Sequence, residues 1–310
     1  MKYRTLGKTG LKVSVLSYGG SSLGSVFRKI DEAEGIRTVQ TAIDLGINYV
    51  DTSPFYGITT AESILGKALK QIPREKYYLA TKAGRYGYDS KDFDFSYDRI
   101  IKSAEESMKR LGVDYLDVFQ LHDIEYHGGR FIEQALTEGI PALQKLKEQS
   151  KTRFYGITTY PIEVFRKALA RVDVDTTLSH NHFSLNDTQL LDLLPLVKEK
   201  NLGLINASPL SMGLLTKRFV ADWHPATEEH RAVVNRAISF CESEGTSLEK
   251  LAVWFSTRNE DIPTTLVSTA NPERIKKNVA WTEEPLDMQL VEKVQRILQP
   301  IFNKDWGFGD

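Results

Sequence analysis

The alternation of strand-like and helix-like segments constrains the fold of this chain more than any other feature of its sequence. Eight short runs of β-branched, aromatic and aliphatic residues are bounded by turn-forming residues, as strands are. They span residues 16–19, 48–52, 77–81, 115–121, 153–157, 177–182, 203–207 and 264–267. Helical periodicity occurs at 31–45, 60–69, 96–111, 140–148, 161–170, 188–200, 228–244, 247–257, 271–280 and 286–298. Such alternation predicts parallel strands with helices packed outside them.

Eight strand–helix repeats fit a closed (β/α)8 TIM barrel, and 310 residues are enough to build one. An open doubly wound sheet is the alternative, but the chain lacks the glycine-rich fingerprint of that fold, since residues 19–24 (GGSSLG) have the wrong spacing. Residues 3–16, with a turn at 8–10, predict a β-hairpin that caps the barrel. The last helical segments predict extra C-terminal helices, and the absence of any linker predicts one domain over residues 1–310.

Composition excludes several classes of partner. A formal net charge of −1 does not favour binding to nucleic acid or to an anionic membrane. No apolar run approaches the roughly 18–20 residues of a membrane-spanning helix, and the first residues lack the apolar core of a signal peptide.

His180 and His182 share a strand face, but no suitably spaced acid or cysteine accompanies them, so we expect no metal site. The single cysteine, Cys241, is consistent with the cytoplasm.

Four polar residues stand at the ends of consecutive predicted strands. Asp51 ends the second strand and Tyr56 follows it, whereas Lys82 and His122 come directly after the third and fourth. Each alone could be a solvated or structural residue. Because the active sites of TIM barrels lie at the carboxyl ends of the strands, the four together predict a catalytic group.

The residue types of this group suit proton transfer to and from oxygen. A free tyrosine titrates near ~10, and a neighbouring ammonium such as Lys82 favours the phenolate and lowers that pKa. Asp51 is expected to pair with Lys82 and hold it charged. His122 is expected to hydrogen-bond the same substrate oxygen and orient it. The predicted chemistry is the movement of a proton on and off a carbonyl or alcohol oxygen.

At these residues the chain resembles the aldo-keto reductases, and the resemblance runs from end to end. The matching stretches are 6–14 (LGKTGLKVS), 51–57 (DTSPFYG), 81–82 (TK), 121–122 (LH), 207–210 (ASPL) and 271–275 (NPERI). The resemblance implies a nicotinamide cofactor that lies across the strand ends. It also implies that Tyr56 is the general acid/base, that Lys82 and Asp51 tune it, and that His122 orients the substrate.

Within that family the chain is most similar to the aldose 1-dehydrogenases, which act on free sugars. The stretches that carry this likeness are 121–125 (LHDIE), 186–188 (NDT), 190–195 (LLDLLP), 207–216 (ASPLSMGLLT) and 223–226 (WHPA). They imply hydride transfer from C1 of an aldose, L-galactose or a relative such as L-fucose, to the nicotinamide, with a lactone as product. The alternatives are a general NADPH-dependent aldehyde or ketone reductase and a catalytically weak, cofactor-sensing regulatory subunit.

The resemblance also assigns the cofactor contacts, with departures from the usual pattern. The expected cofactor-binding residues are Gly20, Ser21, Thr158, His180, Ser208, Pro209, Leu210, Ser268, Arg274 and Asn278. Thr158 begins a Thr-Thr pair that replaces a common Ser-Asn pair, and Ala207 replaces a nicotinamide-stacking tyrosine. Ser268 stands where NADP-preferring members carry a lysine, whereas Arg274 matches their second phosphate contact. We therefore expect NAD, with NADP as the alternative.

Five residues of the strand-end loops and the C-terminal tail are expected to contact the substrate. Ring faces with a few hydrogen-bonding groups between them suit a sugar. The expected substrate residues are Phe55, Asp123, His182, Trp223 and Trp306.

Overall fold

Eight parallel strands close into a barrel, as the alternation predicts. The computed structural model describes residues 1–218, 221–285 and 287–307. Its strands are β1 (Tyr3–Thr5), β2 (Lys12–Ser14), β3 (Leu16–Gly19), β4 (Tyr49–Asp51), β5 (Tyr78–Ala83), β6 (Leu116–Leu121), β7 (Thr152–Thr158), β8 (Thr176–His180), β9 (Gly203–Ala207) and β10 (Thr264–Ser268). From β3 to β10 each strand pairs in parallel with the next, and β10 pairs with β3. The open-sheet alternative is therefore wrong.

Helices surround the barrel, and each barrel strand leads into helical structure. They are α1 (Glu32–Asp44), α2 (Thr60–Leu69), α3 (Tyr97–Leu111), α4 (Ile132–Gln134), α5 (Ile140–Glu148), α6 (Ile162–Leu169), α7 (Leu194–Glu199), α8 (Glu228–Ser243), α9 (Leu248–Arg258), α10 (Pro272–Glu283) and α11 (Met288–Leu298). Asp31 begins α1 with a cap in which its carboxylate accepts a 2.7 Å hydrogen bond from the backbone N–H of Glu34. None of the helices in the described ranges is long and apolar enough to cross a membrane.

Several predicted boundaries differ from the structure; for example, the strand predicted at 177–182 ends at His180. The helix expected at 188–200 is a 3-10 turn (Gln189–Leu193) followed by α7, because Pro195 lacks an N–H donor and fits only a first helical turn. Strand β5 runs to Ala83, so that Lys82 lies inside the strand and not after it. Leu286, where the last helix was expected to begin, lies outside the described residues.

The hairpin β1–β2 closes the bottom of the barrel, as expected. Its apolar side chains Leu6, Leu11 and Val13 belong to the same buried cluster as the residues that fill the barrel interior. That interior set is Tyr49, Ala80, Val118, Leu178, Ile205 and Leu266. Since apolar packing closes the bottom in the described residues, we expect ligands to enter at the carboxyl ends of the strands. The assignment of residues 1–310 to one domain stays a prediction.

Candidate active site

A cavity of about 1250 Å³ lies at the carboxyl ends of the barrel strands. Its wall includes Asp51, Tyr56, Lys82 and His122, the four residues predicted from the strand ends. They come from β4, the turn after it, β5 and the residue after β6, which are neighbours in the barrel. The fold thus brings the predicted catalytic group together.

Lys82 and Asp51 form a buried ion pair at the base of this cavity. Lys82 Nζ donates to Asp51 Oδ1 and also to the backbone oxygen of Thr52, at 2.8 Å. Burial raises the pKa of Asp51 despite the attraction of Lys82. Burial alone would lower the pKa of Lys82, but Asp51 and Tyr56 together raise it above its usual value. The lysine is therefore held as an ammonium ion in a fixed position.

Tyr56 lies between this ammonium and the imidazole of His122. Lys82 Nζ is 5.2 Å from the centre of the Tyr56 ring, and the ring stands at 89° to that of His122, with centroids 5.7 Å apart. Desolvation raises the pKa of Tyr56, and the opposing effect of Lys82 is smaller. The expectation that Lys82 brings this pKa below that of free tyrosine is wrong for the protein without ligand, because burial outweighs the charge. At neutral pH Tyr56 carries its proton.

Both ring nitrogens of His122 have a polar neighbour. Its Nδ1 lies 2.9 Å from Ser53 Oγ, and its Nε2 lies 3.4 Å from Asp123 Oδ2. Burial lowers the pKa of His122 well below the usual value, with a further decrease from Lys82 and Arg85. The ring is therefore a neutral imidazole that can donate one hydrogen bond and accept another.

The turn that carries Tyr56 is fixed by close backbone contacts. The N–H of Tyr56 donates to the carbonyl oxygen of Ser53 at 3.1 Å. Gly57 has φ +63°, and a Cβ there would lie 2.3 Å from the backbone oxygen of Gly24. A Cβ at Gly24 would in turn lie 2.4 Å from the backbone carbon of Tyr56. The loop after β3 and the turn after β4 can approach this closely because neither Gly24 nor Gly57 has a Cβ.

An ion pair stacked between aromatic rings lies beside His122. Arg85 Nη1 donates to Asp123 Oδ2 at 2.6 Å. The guanidinium carbon is 3.7 Å from the centre of the Phe55 ring and 4.0 Å from that of Tyr126. Asp123 also accepts a hydrogen bond of 3.1 Å from Thr158 Oγ1. Sequence reasoning missed Arg85 and Tyr126; the signal was that both follow strand ends closely, three residues after Lys82 and four after His122.

Most of the expected cofactor residues lie on the cavity wall. Those on the wall are Ser21, Thr158, His180, Ser208, Pro209, Leu210, Ser268, Arg274 and Asn278. Gly20 is not among the described wall residues. A Cβ at Gly20 would lie 3.1 Å from the backbone oxygen of Asp51, so its small size serves the contact between loop and strand.

The hydroxyl group of Ser268 is hydrogen-bonded to the loop after β3. Its Oγ accepts hydrogen bonds from the N–H of Ser22 (2.8 Å) and from Ser21 Oγ (2.9 Å). It donates to Ser22 Oγ at 2.8 Å. The hydroxyl therefore connects the end of β10 to this loop, and its hydrogen bonds are made within the protein.

Three arginines form a cationic patch on the same wall. They are Arg28, Arg218 and Arg274, of which sequence reasoning singled out only the last. Burial lowers the pKa of Arg218, and its repulsion by Arg274 and Arg28 lowers it further, so the three charges lie close together. A patch of guanidinium groups suits the phosphates of a dinucleotide. The wall residues therefore fit a nicotinamide dinucleotide, and the three arginines would hold its phosphates.

Three of the five expected substrate residues line the cavity, namely Phe55, Asp123 and Trp223. Trp223 is 46% exposed, and its Nε1 donates to the backbone oxygen of Val26 at 3.3 Å. The other two are buried elsewhere. His182 stacks on Tyr160 with centroids 4.3 Å apart, and the Trp306 ring packs against His224 and His230, each at 5.4 Å. The structure does not bring His182 and Trp306 to the described cavity wall.

The chain is similar to several known proteins in sequence and in fold. The aldo/keto reductase family model matches residues 15–299. L-galactose dehydrogenase of Arabidopsis thaliana is 45% identical over 318 residues, covering 100% of this chain and 98% of that protein. D-arabinose 1-dehydrogenase of Saccharomyces cerevisiae is 31% identical, covering 96% and 94%. The holo form of an aldo-keto reductase from Bacillus halodurans has a TM-score of 0.80 at 26% identity, covering 100% and 99%.

The family match spans most of the sequence, and the similarity to sugar dehydrogenases spans nearly all of it. The parallel barrel, the hairpin at its base and the Tyr56 group at its open end are consistent with that similarity. The chain belongs to the aldo/keto reductase family.

Proposed function

We propose that this protein is an NAD(P)-dependent aldose 1-dehydrogenase that oxidises L-galactose or a related sugar such as L-fucose at C1. The observation that carries the proposal is the Arg85–Asp123 pair beside His122, flanked by Phe55. It places a guanidinium and a carboxylate, the groups that commonly bind sugar hydroxyls, on the cavity wall beside aromatic side chains, which suits a polyhydroxylated ring. The similarity to L-galactose dehydrogenase and D-arabinose 1-dehydrogenase supports the same substrate class.

In this proposal the side chains handle the proton and the orientation of the sugar. The nicotinamide, when bound, accepts the hydride that leaves C1. Tyr56 Oη takes the proton of the anomeric hydroxyl, and the Lys82 ammonium stabilises the phenolate that does so. His122 holds the same oxygen through Nε2. Oxidation of the ring form at C1 leaves the sugar ring closed, and the product is therefore a lactone.

The residues expected to hold the cofactor favour NAD over NADP in our proposal. Ser268 is neutral and already bonded to Ser21 and Ser22. A 2′-phosphate would therefore meet no lysine at this strand end. Replacing Ser268 with lysine should raise the affinity for NADP relative to NAD, measured by titration of each cofactor. An unchanged ratio would place phosphate selection elsewhere, for example at Arg274.

The proposal is tested by a panel of L- and D-aldoses, each assayed with NAD and with NADP by absorbance of the reduced cofactor. We expect turnover with L-galactose or a close relative, with lactone as product, and faster turnover than with aromatic aldehydes. Equal rates for aldoses and aromatic aldehydes would favour a general reductase. Tight cofactor binding without turnover of any sugar or aldehyde would favour a regulatory subunit. We further propose a cytoplasmic location, in which the buried free thiol of Cys241 stays reduced.

A further inference from the structure

We propose that Ser53 is a positioning residue that fixes His122 in the tautomer with its proton on Nε2, the nitrogen that meets the substrate oxygen. The inference rests on the proposed function only in giving His122 a substrate to hold. The tautomer itself is a property of the protein without ligands.

The surroundings of Ser53 determine which atom its hydroxyl group donates to. Ser53 is fully buried. Its Oγ accepts a hydrogen bond of 3.1 Å from the N–H of Phe55, and it lies 2.9 Å from His122 Nδ1. Within the described residues the structure records no other acceptor for this hydroxyl, so its hydrogen is directed at Nδ1. A nitrogen that accepts a hydrogen bond carries no proton, so the proton of the neutral ring lies on Nε2.

The opposite side of the ring selects the same tautomer. Asp123 Oδ2 lies 3.4 Å from His122 Nε2. Burial opposes ionisation of the Asp123 carboxyl, but the charge of Arg85 and its hydrogen bond lower the pKa of Asp123 and keep this carboxyl ionised. The negative charge of Asp123 near Nε2 favours a proton on this nitrogen over a lone pair. Ser53 and Asp123 therefore act on the ring in the same direction.

Ser53 also links the two residues that would share the substrate oxygen. Its carbonyl oxygen accepts the N–H of Tyr56 at 3.1 Å, and its hydroxyl holds His122. With a proton on Nε2, His122 donates to the substrate oxygen and leaves proton acceptance to Tyr56. The other tautomer would present a lone pair to that oxygen and would compete with Tyr56 for the proton.

The direct test is nitrogen NMR of the full chain labelled with ¹⁵N in its histidine rings. The chain has six histidines, and a His122→Asn sample identifies the signals of His122. We expect Nδ1 in the range of an unprotonated imidazole nitrogen and Nε2 in the range of a protonated one. In Ser53→Ala, which removes one atom from a buried site, we expect the two shifts to move towards each other as both tautomers become populated. A protonated Nδ1 in the native chain, or shifts unchanged by Ser53→Ala, would overturn the inference.

Kinetics supply a second readout with a matched control. Ser53→Ala should lower kcat by about tenfold, the effect of losing one neutral hydrogen bond, with an unchanged affinity for the cofactor. Ser256→Ala removes another buried hydroxyl, one that bonds only within α9, and should leave kcat unchanged. Ser53→Thr keeps the hydroxyl and should restore the native shifts. If no sugar is oxidised at all, the proposed function fails, while the NMR result still decides the role of Ser53.

Discussion

At the scale of single residues, Tyr56 is subject to two opposing effects. Desolvation favours the neutral phenol, and the Lys82 ammonium favours the phenolate. In the protein without ligand desolvation is the larger effect, so the pKa of Tyr56 lies above that of free tyrosine. A proton donor for carbonyl reduction is then fully present at neutral pH. A proton acceptor for sugar oxidation is present only as a small fraction.

This balance predicts the pH dependence of the reaction. At pH values below the pKa of Tyr56, the fraction of this residue present as phenolate rises about tenfold per pH unit. Sugar oxidation should therefore accelerate as the pH rises from about 6 to 10, while the reverse reduction stays nearly constant over that range. His122 should add no inflection near neutrality, since its pKa is far below the usual value. Single-turnover rates measure this, and a flat oxidation profile would contradict the role of Tyr56 as the acceptor.

The catalytic residues could be predicted from sequence. The positions of Arg85 and Trp306 could not, because they depend on contacts between distant parts of the chain. Asp51, Lys82 and His122 are placed by strand ends, and their positions follow once the strands are found. Arg85 depends on stacking between two loops, and Trp306 on how the C-terminal tail packs. Such contacts depend on the tertiary structure, which local pattern does not reveal. The raised pKa of Tyr56 was missed because burial cannot be read from the types of its neighbours.

At the scale of elements, the position of Tyr56 depends on contact between the loop after β3 and the turn after β4. Gly24 and Gly57 allow these two backbones to meet. The serine network of Ser21, Ser22 and Ser268 holds the same loop to β10. The loop is therefore fixed from both sides, and Tyr56 is positioned by backbone packing as well as by its own side chain.

Gly57→Ala should therefore impair catalysis as well as stability. The added Cβ would clash with the backbone of Gly24, shift the turn and move Tyr56, and a displacement of about 1 Å lowers rates by on the order of 10²-fold. Gly10→Ala is the matched control, since Gly10 has a similar φ of +70° but open space around its Cβ. It should lose about 1–2 kcal/mol of stability with kcat unchanged. Equal kcat in the two variants would show that the contact does not position Tyr56.

The prediction of elements from sequence matched some elements at both ends and missed the ends of others. The bounds of α2, α5 and β9 agree with the predicted ranges. The two extra residues of β5 pair with β6, through Lys82 with Gln120 and Ala83 with Leu121. Strand ends are set by the neighbouring strand, which a single segment of sequence does not contain.

At the scale of the whole molecule, the two ends of the barrel have opposite character. The bottom is closed by the apolar contacts of the hairpin. The top holds buried charges, among them Asp51, Lys82, Arg85 and Asp123. Burying such groups costs desolvation free energy even when they are paired. This end of the fold therefore lowers the stability of the protein while it supplies the charged groups of the site. The closed barrel could be predicted because eight alternating repeats leave few other arrangements; the cavity could not, since it depends on all the loops together.

Glu125, buried near this end, should make stability depend on pH. Burial and the charge of Asp123 raise its pKa from 4.5 to about 8. The folded state therefore holds a proton that the unfolded chain releases, and this stabilisation is present at low pH and lost as the pH rises from about 5 to 8. The effect amounts to a few kcal/mol, since one pKa unit corresponds to about 1.4 kcal/mol.

Glu125→Gln should remove that pH dependence. Its amide oxygen can still accept the hydrogen bond that Glu125 receives from the N–H of Tyr160. Urea unfolding at several pH values should show the variant gaining stability over the native chain as the pH increases. Glu292→Gln, at an exposed position of α11, is the control and should follow the native chain. Parallel curves for Glu125→Gln and the native chain would contradict a raised pKa at this site.

Tyr56 is proposed to enable hydride transfer from C1 of an aldose to a nicotinamide. The most direct measurement uses L-galactose deuterated at C1 with NAD, followed by mass spectrometry of the reduced cofactor. We expect deuterium in the reduced cofactor made by the native enzyme. We expect no reduced cofactor from Tyr56→Phe, although that variant still binds NAD with nearly native affinity. Sugar oxidation without deuterium in the cofactor, or near-native transfer by Tyr56→Phe, would contradict the claim.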